Sequence, residues 1–192
     1  MSLCEVCKKK QANVNLTLAD GTIQEICKDC FDVFSAREMS IELAPFKSGI
    51  YEYPGLNGKV YRFMIDKLVL PMGVGYEAVE ITKDNSPGYK VAVMDGLDCN
   101  QEYLFYILEA KVKYTLSKKY LRTGTFPDGM EYTSLENDEI VGRFEYNGKN
   151  DEIHSVVIDG RVFSWEGFGR ILRSYEGFQF KLKMYDITED VN

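Results

Sequence analysis

The sequence contains little histidine and no long apolar run, and both absences limit what the chain can do. It has one histidine in 192 residues, so a Ser/His/Asp or Cys/His mechanism would have to use His154. Ser155 cannot be its nucleophile if both lie in the strand predicted there, because adjacent strand residues point to opposite faces. We therefore interpret His154 as a surface imidazole. No stretch approaches the ~20 consecutive apolar residues that a membrane-spanning helix needs.

Positive charge is also in short supply. The chain has 23 Lys and Arg against 30 Asp and Glu, a net charge of −7. This balance argues against a protein that coats nucleic acid or an anionic membrane by bulk electrostatics. A hydrophobic content of 45% is ample for a packed core. The first residues form no apolar secretory segment and run instead into Lys8-Lys9-Lys10, so we expect a cytoplasmic location.

The cysteines are few but sharply arranged. Four of the five form two Cys-x2-Cys pairs: Cys4, Cys7, Cys27 and Cys30. Between the pairs, residues 13–26 read as two short strands joined by a tight turn at Asp20-Gly21. The hairpin would bring both pairs to one centre, where four thiolates suit tetrahedral zinc with no coordination position left open. We predict that these four cysteines are the ligands of a structural zinc ion.

Two other interpretations of these cysteines stay open at this point. Two disulfide bonds in a secreted module would also use four cysteines, although the paired spacing around a hairpin favours a metal. Iron in a tetrahedral thiolate site has similar ligand demands, and zinc is preferred because it is the commoner structural occupant.

The fifth cysteine, Cys99, precedes a predicted helix, a position that lowers a thiol pKa. Without an identifiable base beside it, we interpret Cys99 as a partly buried structural thiol, and we predict no catalytic residue.

The N-terminal part of the chain divides into a zinc module, residues 1–38, and a linker, residues 39–58. After the second cysteine pair, Phe31 and Phe34 lie three residues apart, as on one face of a short helix. Two knuckles, a hairpin between them and a final helix are typical of a treble-clef or zinc-ribbon unit. The linker is predicted from the breaker signals Tyr53-Pro54-Gly55 and Asn57-Gly58.

Residues 59–124 predict three strands followed by one long helix. The strands are expected at residues 60–70, 76–81 and 89–94. Asp98 is the predicted N-cap of the helix, whose apolar residues recur every four positions from Leu104 to Tyr120. Gly124 is predicted to end it, and residues 125–138 then form an acidic loop.

Residues 139–192 form the most sharply patterned block. We predict strands at 140–146 and 153–158, a tight turn at Asp159-Gly160, and a short helix capped by Ser164. Residues 177–184 alternate apolar and polar side chains, which predicts a strand with one buried face. The predicted fold class is α+β, a four-cysteine zinc ribbon or treble clef followed by blocks of antiparallel sheet and helix.

The second half of the predicted long helix carries only basic charges. Five cations fall between residues 111 and 122: Lys111, Lys113, Lys118, Lys119 and Arg122. They are interpreted either as a face that contacts nucleic-acid phosphates or as cations that complement the negative end of the helix dipole. A contact with the acidic segment that follows is a third interpretation.

The first cysteine-rich stretch resembles a known module. Cys4-Glu-Val-Cys7-Lys-Lys-Lys-Gln-Ala12-Asn-Val14, followed by Gly21 and Ile26-Cys27-Lys-Asp-Cys30, is similar to the N-terminal zinc module of bacterial stress-adaptor proteins, in particular the activator of the bacterial protein-arginine kinase. The resemblance implies zinc and a protein-binding role. It covers only this part of the chain, and the second cysteine module and coiled helical segment of that family are not found here. The C-terminal stretch resembles a small domain of uncharacterised bacterial proteins, which implies no activity.

The sequence thus leads us to expect a non-catalytic adaptor or regulatory binding module with a structural zinc site and a protein partner. The alternative is a nucleic-acid-associated factor that uses the zinc module and the basic helix face at 111–122. An enzyme that uses carboxylates or Cys99 ranks third. We expect no other cofactor and no membrane partner.

Overall fold

A computed structural model describes residues 2–146 and 154–191, and within them it has the predicted α+β architecture of helices and antiparallel sheets. The helices are α1 (Lys28–Glu38), α2 (Gln101–Ser117) and α3 (Trp165–Leu172). The strands are β1 (Val14–Thr17), β2 (Ile23–Ile26), β3 (Gly49–Pro54), β4 (Val60–Leu70), β5 (Gly73–Glu80), β6 (Lys90–Asp95), β7 (Leu121–Thr125), β8 (Glu131–Leu135), β9 (Arg143–Glu145), β10 (Ser155–Ile158) and β11 (Arg161–Phe163).

The largest sheet is four-stranded, in the order β3-β4-β5-β6, and α2 packs on one of its faces. Alternation along β4 turns Phe63 and Ile65 towards the helix, and both are fully buried. The helix contributes residues spaced four apart, which line one face of an α-helix. These are Leu104, Leu108, Val112 and Leu116. The predicted apolar stripe of the long helix is confirmed up to Leu116.

β3 lies inside the predicted linker, so the linker prediction is wrong for residues 49–54. Tyr53 is buried against the core and its ring meets that of Phe63 edge to face, with ring centroids 5.9 Å apart. Pro54 closes the strand on the outer edge of the sheet, where its missing N–H is tolerated. The breaker residues therefore mark the end of a strand rather than a linker.

The end of α2 also differs from the prediction. The helix begins after Asn100, whose side chain accepts from the Tyr103 N–H, and it ends at Ser117. Residues 121–124, predicted to be helix, belong to β7 instead. The predicted acidic loop at 125–138 contains β8, which pairs with β7 as an antiparallel hairpin. Tertiary packing overrides helix propensity here, because Leu121 enters a second core with Leu135.

That second core is formed by the hairpin β7–β8, the three-stranded sheet β11-β10-β9 and α3. The turn at Asp159-Gly160 is confirmed: both residues have positive φ, 51° and 68°, as a tight hairpin requires. Ser164 caps α3 by accepting from the Gly167 N–H, as predicted. β9 and β10 are shorter than the predicted strands at 140–146 and 153–158; of these, residue 153 lies outside the described residues.

The predicted strand at 177–184 is not found. These residues have no strand partner within the described parts of the chain, and every one of them is exposed. Four large apolar side chains are the most affected: Phe178 at 67% exposure, Phe180 at 90%, Leu182 at 68% and Met184 at 61%. The alternation of the sequence is real, but no described sheet edge lies beside it to bury one face.

Asp159 ties the β10–β11 turn to the chain that follows α2. Its carboxylate accepts from the N–H groups of Tyr120 and Leu121, at 3.0 and 2.8 Å from Oδ2. We expect Asp159→Ala to lower the free energy of unfolding by about 1–3 kcal/mol, because two backbone donors lose their acceptor. Asp159→Asn should lose less, since Asn keeps one acceptor and tolerates positive φ. Chemical denaturation followed by tryptophan fluorescence measures both, and an unchanged Ala variant would contradict the assignment.

Candidate metal centre

The first cysteine pair lies in a tight knuckle that the backbone closes on itself. The Cys4 N–H donates to the Lys10 carbonyl at 2.8 Å, and the Lys8 N–H donates to the Cys4 carbonyl at 2.9 Å. Lys8 has φ of 56°, the left-handed conformation that reverses the chain here. The Glu5 N–H donates to the carbonyl of Glu25 in β2 at 2.9 Å, which ties the knuckle to the hairpin.

The second pair lies where β2 passes into α1. Cys27 is the N-cap residue of the helix and Cys30 lies in its first turn. The Cys27 side chain makes no capping bond; instead Asn13 accepts the Lys28 N–H on its side-chain oxygen at 2.9 Å. Phe31 packs against the cysteines, whereas Phe34 is exposed, so the predicted apolar helix face is only half present.

The hairpin between the pairs is confirmed, but its turn is wider than predicted. β1 and β2 pair from Val14 opposite Ile26 to Thr17 opposite Ile23. The connection is a five-residue loop, 18–22, in which only Gly21 has positive φ, at 84°. Asp20 accepts the Thr22 N–H on its side chain at 2.9 Å, a local bond that favours the wider loop.

The four sulfurs converge. All four Sγ atoms lie within 4.8 Å of one another, and none of the cysteines is in a disulfide bond. The Sγ atoms of Cys7 and Cys27 are 3.8 Å apart. Thiolates held tetrahedrally at a metal–sulfur distance of ~2.3 Å lie roughly 3.8 Å from each other. Cys4 and Cys27 are buried and the other two half-buried, so the arrangement could hold a metal ion shielded from solvent.

The thiols differ in how readily they ionise. Burial raises the pKa of Cys4, but backbone N–H groups, with that of Cys7 first, outweigh it and bring the pKa down to about 6. The pKa of Cys7 is also lowered, mainly by backbone N–H groups of the turn that follows it. Burial raises the pKa of Cys27 and of Cys30 above the ordinary thiol value. A metal ion would have to displace the protons of these two thiols, so its binding releases protons.

The remaining candidates for chemistry lie apart from one another. Cys99 is half-buried just before α2, and burial raises its pKa, with nearby Asp95 adding to the effect. This is opposite to the lowering expected at a helix start, and it accords with a structural thiol. His154 is exposed and directly precedes β10, as a surface imidazole would be.

The five cations between residues 111 and 122 do not lie on one helix face, so the prediction of a basic helix face there is wrong. Lys111 is largely buried, and its Nζ donates to the carbonyls of Thr188 and Glu189 at 3.1 and 2.7 Å. Lys118 and Lys119 follow the end of the helix, and Arg122 lies on β7, where its Nε donates to Ser134. Of the cations on α2 itself, only Lys113 is exposed.

A buried lysine next to the metal module was not anticipated from the sequence. Lys67 is 5% exposed, and its Nζ donates to the Ala44 carbonyl at 2.7 Å and to Gln101 Oε1 at 2.9 Å. The backbone carbonyl of Lys67 accepts from Lys28 Nζ, on the first residue of α1, at 2.7 Å. The sequence does contain an indication of this burial. Lys67 lies four residues after Phe63, at a position where the alternation along β4 points side chains into the core. Lysine is so rarely buried that the alternation alone does not identify it.

These features define a class: an α+β protein with an N-terminal four-cysteine module that is compatible with a zinc ribbon. Two family models match other parts of the chain. Residues 45–117 match a domain of unknown function (DUF7686), and residues 120–189 match a second domain of unknown function (DUF7713). The first match contains the four-stranded sheet with α2, and the second contains the second core.

No curated protein and no solved structure matches the chain. In residues 2–146 and 154–191, none of the helices is long and apolar enough to cross a membrane. The comparisons therefore identify two regions of the chain without assigning an activity to either.

Proposed function

We propose that the protein is a zinc-binding adaptor or regulatory binding protein, in which Cys4, Cys7, Cys27 and Cys30 hold a structural zinc ion. The observation that carries the proposal is the convergence of four thiols, all within 4.8 Å, around one centre. When bound, zinc would cross-link the knuckle, the hairpin and α1. Four thiolate ligands leave no position for water or substrate, which makes the site a structural one.

Zinc is favoured over disulfide bonds by the geometry and over iron by frequency. The cysteines are free, and the 3.8 Å separation of the Cys7 and Cys27 sulfurs fits two ligands of one tetrahedral ion. Free clustered thiols also fit a reducing compartment, so a cytoplasmic location is part of the proposal. The module's own core contains only Cys4, Ile26 and Cys27 as fully buried apolar residues, too few to fold 40 residues without a cross-link.

A protein partner is favoured by the outward face of α2. Three tyrosines at helical spacing form this tyrosine face: Tyr103, Tyr106 and Tyr114, exposed at 61%, 63% and 51%. Tyr103 and Tyr106 stack with ring centroids 6.2 Å apart, and Lys118 Nζ lies 5.1 Å from the Tyr114 ring centroid. Exposed tyrosines beside a cation are typical of interface anchors. We propose that they bind a protein segment in which carboxylates alternate with apolar residues.

The resemblance of the cysteine module to those of stress-adaptor proteins supports the adaptor function. The arginine kinase of that family is not part of the proposal, because the resemblance ends with the module. The alternative function, contact with nucleic acid, is supported by fewer exposed cations than the sequence predicted. Lys113, Lys118 and Lys119 remain exposed around Tyr114, whose ring could stack on a base.

Affinity capture from a cell extract tests the two functions. We expect the zinc-loaded protein to retain a specific protein, and Tyr103→Ser/Tyr106→Ser to abolish retention without changing the zinc content. Met72→Ser is the matched control, because Met72 is a 73% exposed apolar residue of the β4–β5 turn and not part of α2. Nuclease-sensitive retention that falls steeply with salt and is lost on charge reversal of Lys118 and Lys119 would favour nucleic acid instead.

A further inference from the structure

The segment 178–184, here called the tail segment, shows a strand pattern without a sheet. Its four apolar side chains, at alternate positions, are 61–90% exposed, and the positions between them are Gln179, Lys181 and Lys183. Within the described residues, its only main-chain bond to another segment is that from the Phe178 N–H to the Tyr175 carbonyl at 3.0 Å. Alternation of this kind is typical of a strand that buries one face, and an exposed row of this size marks an interaction surface.

Both ends of the tail segment are attached to the body of the protein. On one side, Tyr175 packs against the second core and its hydroxyl donates to Asp138 Oδ1 at 2.9 Å. On the other side, Lys111 Nζ holds the carbonyls of Thr188 and Glu189. The tail segment is therefore held at both ends. This reduces the conformational entropy that the segment would lose on binding a partner.

The same chain contains a sheet edge that lacks a strand. β7 and β8 form a two-stranded sheet, and among the described strands none lies beside the second edge of β8. A two-stranded sheet is marginal in water, and a third strand stabilises it. The hairpin exposes apolar side chains, with Met130 at 62% exposure and Tyr132 of β8 at 37%.

Charge distinguishes the β8 edge from the edge strands that carry cations. Residues 123–142 contain no Lys or Arg and five carboxylates: Asp128, Glu131, Glu136, Asp138 and Glu139. The tail segment contains the two cations Lys181 and Lys183 and no carboxylate. The edge strands β9 and β11 carry Arg143 and Arg161, and β6 carries Lys90. The edge strand β3 carries the carboxylate Glu52, which is paired with Arg62. The β8 edge, which lies in the segment richest in carboxylates, therefore complements the charge of the tail segment.

We propose that the protein forms a two-fold dimer in which the tail segment of each copy adds as a third strand to the β8 edge of the other. Each copy offers one tail segment and one β8 edge, so both contacts are satisfied in a closed two-fold pair. The apolar row of the tail segment would cover Met130 and Tyr132 of the second copy. Within one chain the segment runs from Tyr175 to its attachment at Lys111 without pairing with β8. This inference is independent of the adaptor function.

Sedimentation velocity of the zinc-loaded full chain, over a range of concentrations, tests the dimer. We expect a reversible dimer whose dissociation constant is weakened roughly tenfold or more by Phe180→Lys, because a charge replaces a buried aromatic anchor. Gln179→Lys introduces the same side chain at the neighbouring position, on the polar side of the row, and should leave the dimer intact. Circular dichroism verifies that both variants fold. A monomer at all concentrations, or equal effects of the two variants, would overturn the proposal.

A charge exchange tests whether β8 is the edge that receives the strand. Lys181→Glu/Lys183→Glu should weaken the dimer, and adding Glu131→Lys/Glu136→Lys in the same chain should restore it. Failure of the second pair to restore the dimer would assign the contact to another edge and refute the β8 assignment. Hydrogen exchange gives an independent measurement: alternate amides within 179–184, those whose N–H groups face β8, should be protected only at concentrations where the dimer forms. Protection in the monomer would show that the strand adds within its own chain.

Discussion

Replacing Cys4 with Ser is expected to release the metal and unfold residues 2–40. Cys4 is fully buried at the centre of the smallest core of the protein, whose other fully buried members are Ile26 and Cys27. Structural zinc in small modules contributes an apparent binding free energy of about 10–16 kcal/mol, and most of it serves as folding free energy. A serine hydroxyl is a poor zinc ligand at neutral pH, so the remaining three thiolates should not retain the ion against a chelator. Zinc content by elemental analysis and amide exchange of β1 and β2 measure the two effects.

Cys99→Ser is the matched control for this experiment. It removes the one cysteine outside the cluster, and Cys99 is half-buried next to α2. We expect it to leave the zinc content and the exchange of the hairpin amides unchanged. If Cys4→Ser kept one tightly held metal per chain, or if the hairpin amides stayed protected without metal, the structural zinc site would be wrong.

Removing the metal from the wild-type chain should have a graded effect beyond the module. α1 packs against β4, and Lys28 Nζ bonds the Lys67 carbonyl there. The core of the four-stranded sheet does not include any cysteine of the cluster, so the sheet should stay folded while the Lys28 contact is lost. Lowering the pH should act in the same direction as a chelator, because protonation of the thiolates competes with the metal.

The sequence predicts well those features that are decided within a few neighbouring residues. The two Cys-x2-Cys pairs, the Asp159-Gly160 turn and the Ser164 cap each depend on local geometry, and all are found in the structure. The stripe from Leu104 to Leu116 was also identified, because a helix against a sheet needs one apolar face over its whole length. In each case the spacing of the residues by itself defines the structure.

The features that were missed depend on partners distant in the sequence. Tyr120 keeps the four-residue spacing of α2, and only the burial of the next residue, Leu121, against Leu135 shows that a strand begins here. Tyr53 lies among breaker residues, and only its contact with Phe63 shows that β3 is part of the sheet. For the row that begins at Phe178 the prediction fails in the opposite direction. Its alternation predicts a buried face, but no described part of the chain covers it. Local patterns thus indicate that a face needs covering, but they do not identify the surface that covers it.

Phe63→Ala should cause the largest loss of stability in the four-stranded sheet. Phe63 is fully buried on β4, one of the two central strands, and lies between Tyr51 of β3 and Glu80 of β5 in the register. Its ring packs edge to face on Tyr53 within the cluster that α2 covers. Truncation of a buried Phe to Ala costs about 3–5 kcal/mol, through lost burial and the cavity that remains. Urea denaturation with zinc held saturating isolates this effect from that of the metal.

Met64→Ala is the matched control, because Met64 is the next residue of the same strand and points to the opposite face, where it is 38% exposed. It pairs with Ile50 and Val79 rather than with the helix-facing core, so we expect a loss below about 1 kcal/mol, in the range of surface substitutions. The difference between two adjacent truncations then reports which face of β4 carries the core. If Met64→Ala proved as destabilising as Phe63→Ala, the face of β4 that carries Met64 would be as tightly packed as the face that carries Phe63, and the assignment of the core to one face would be wrong.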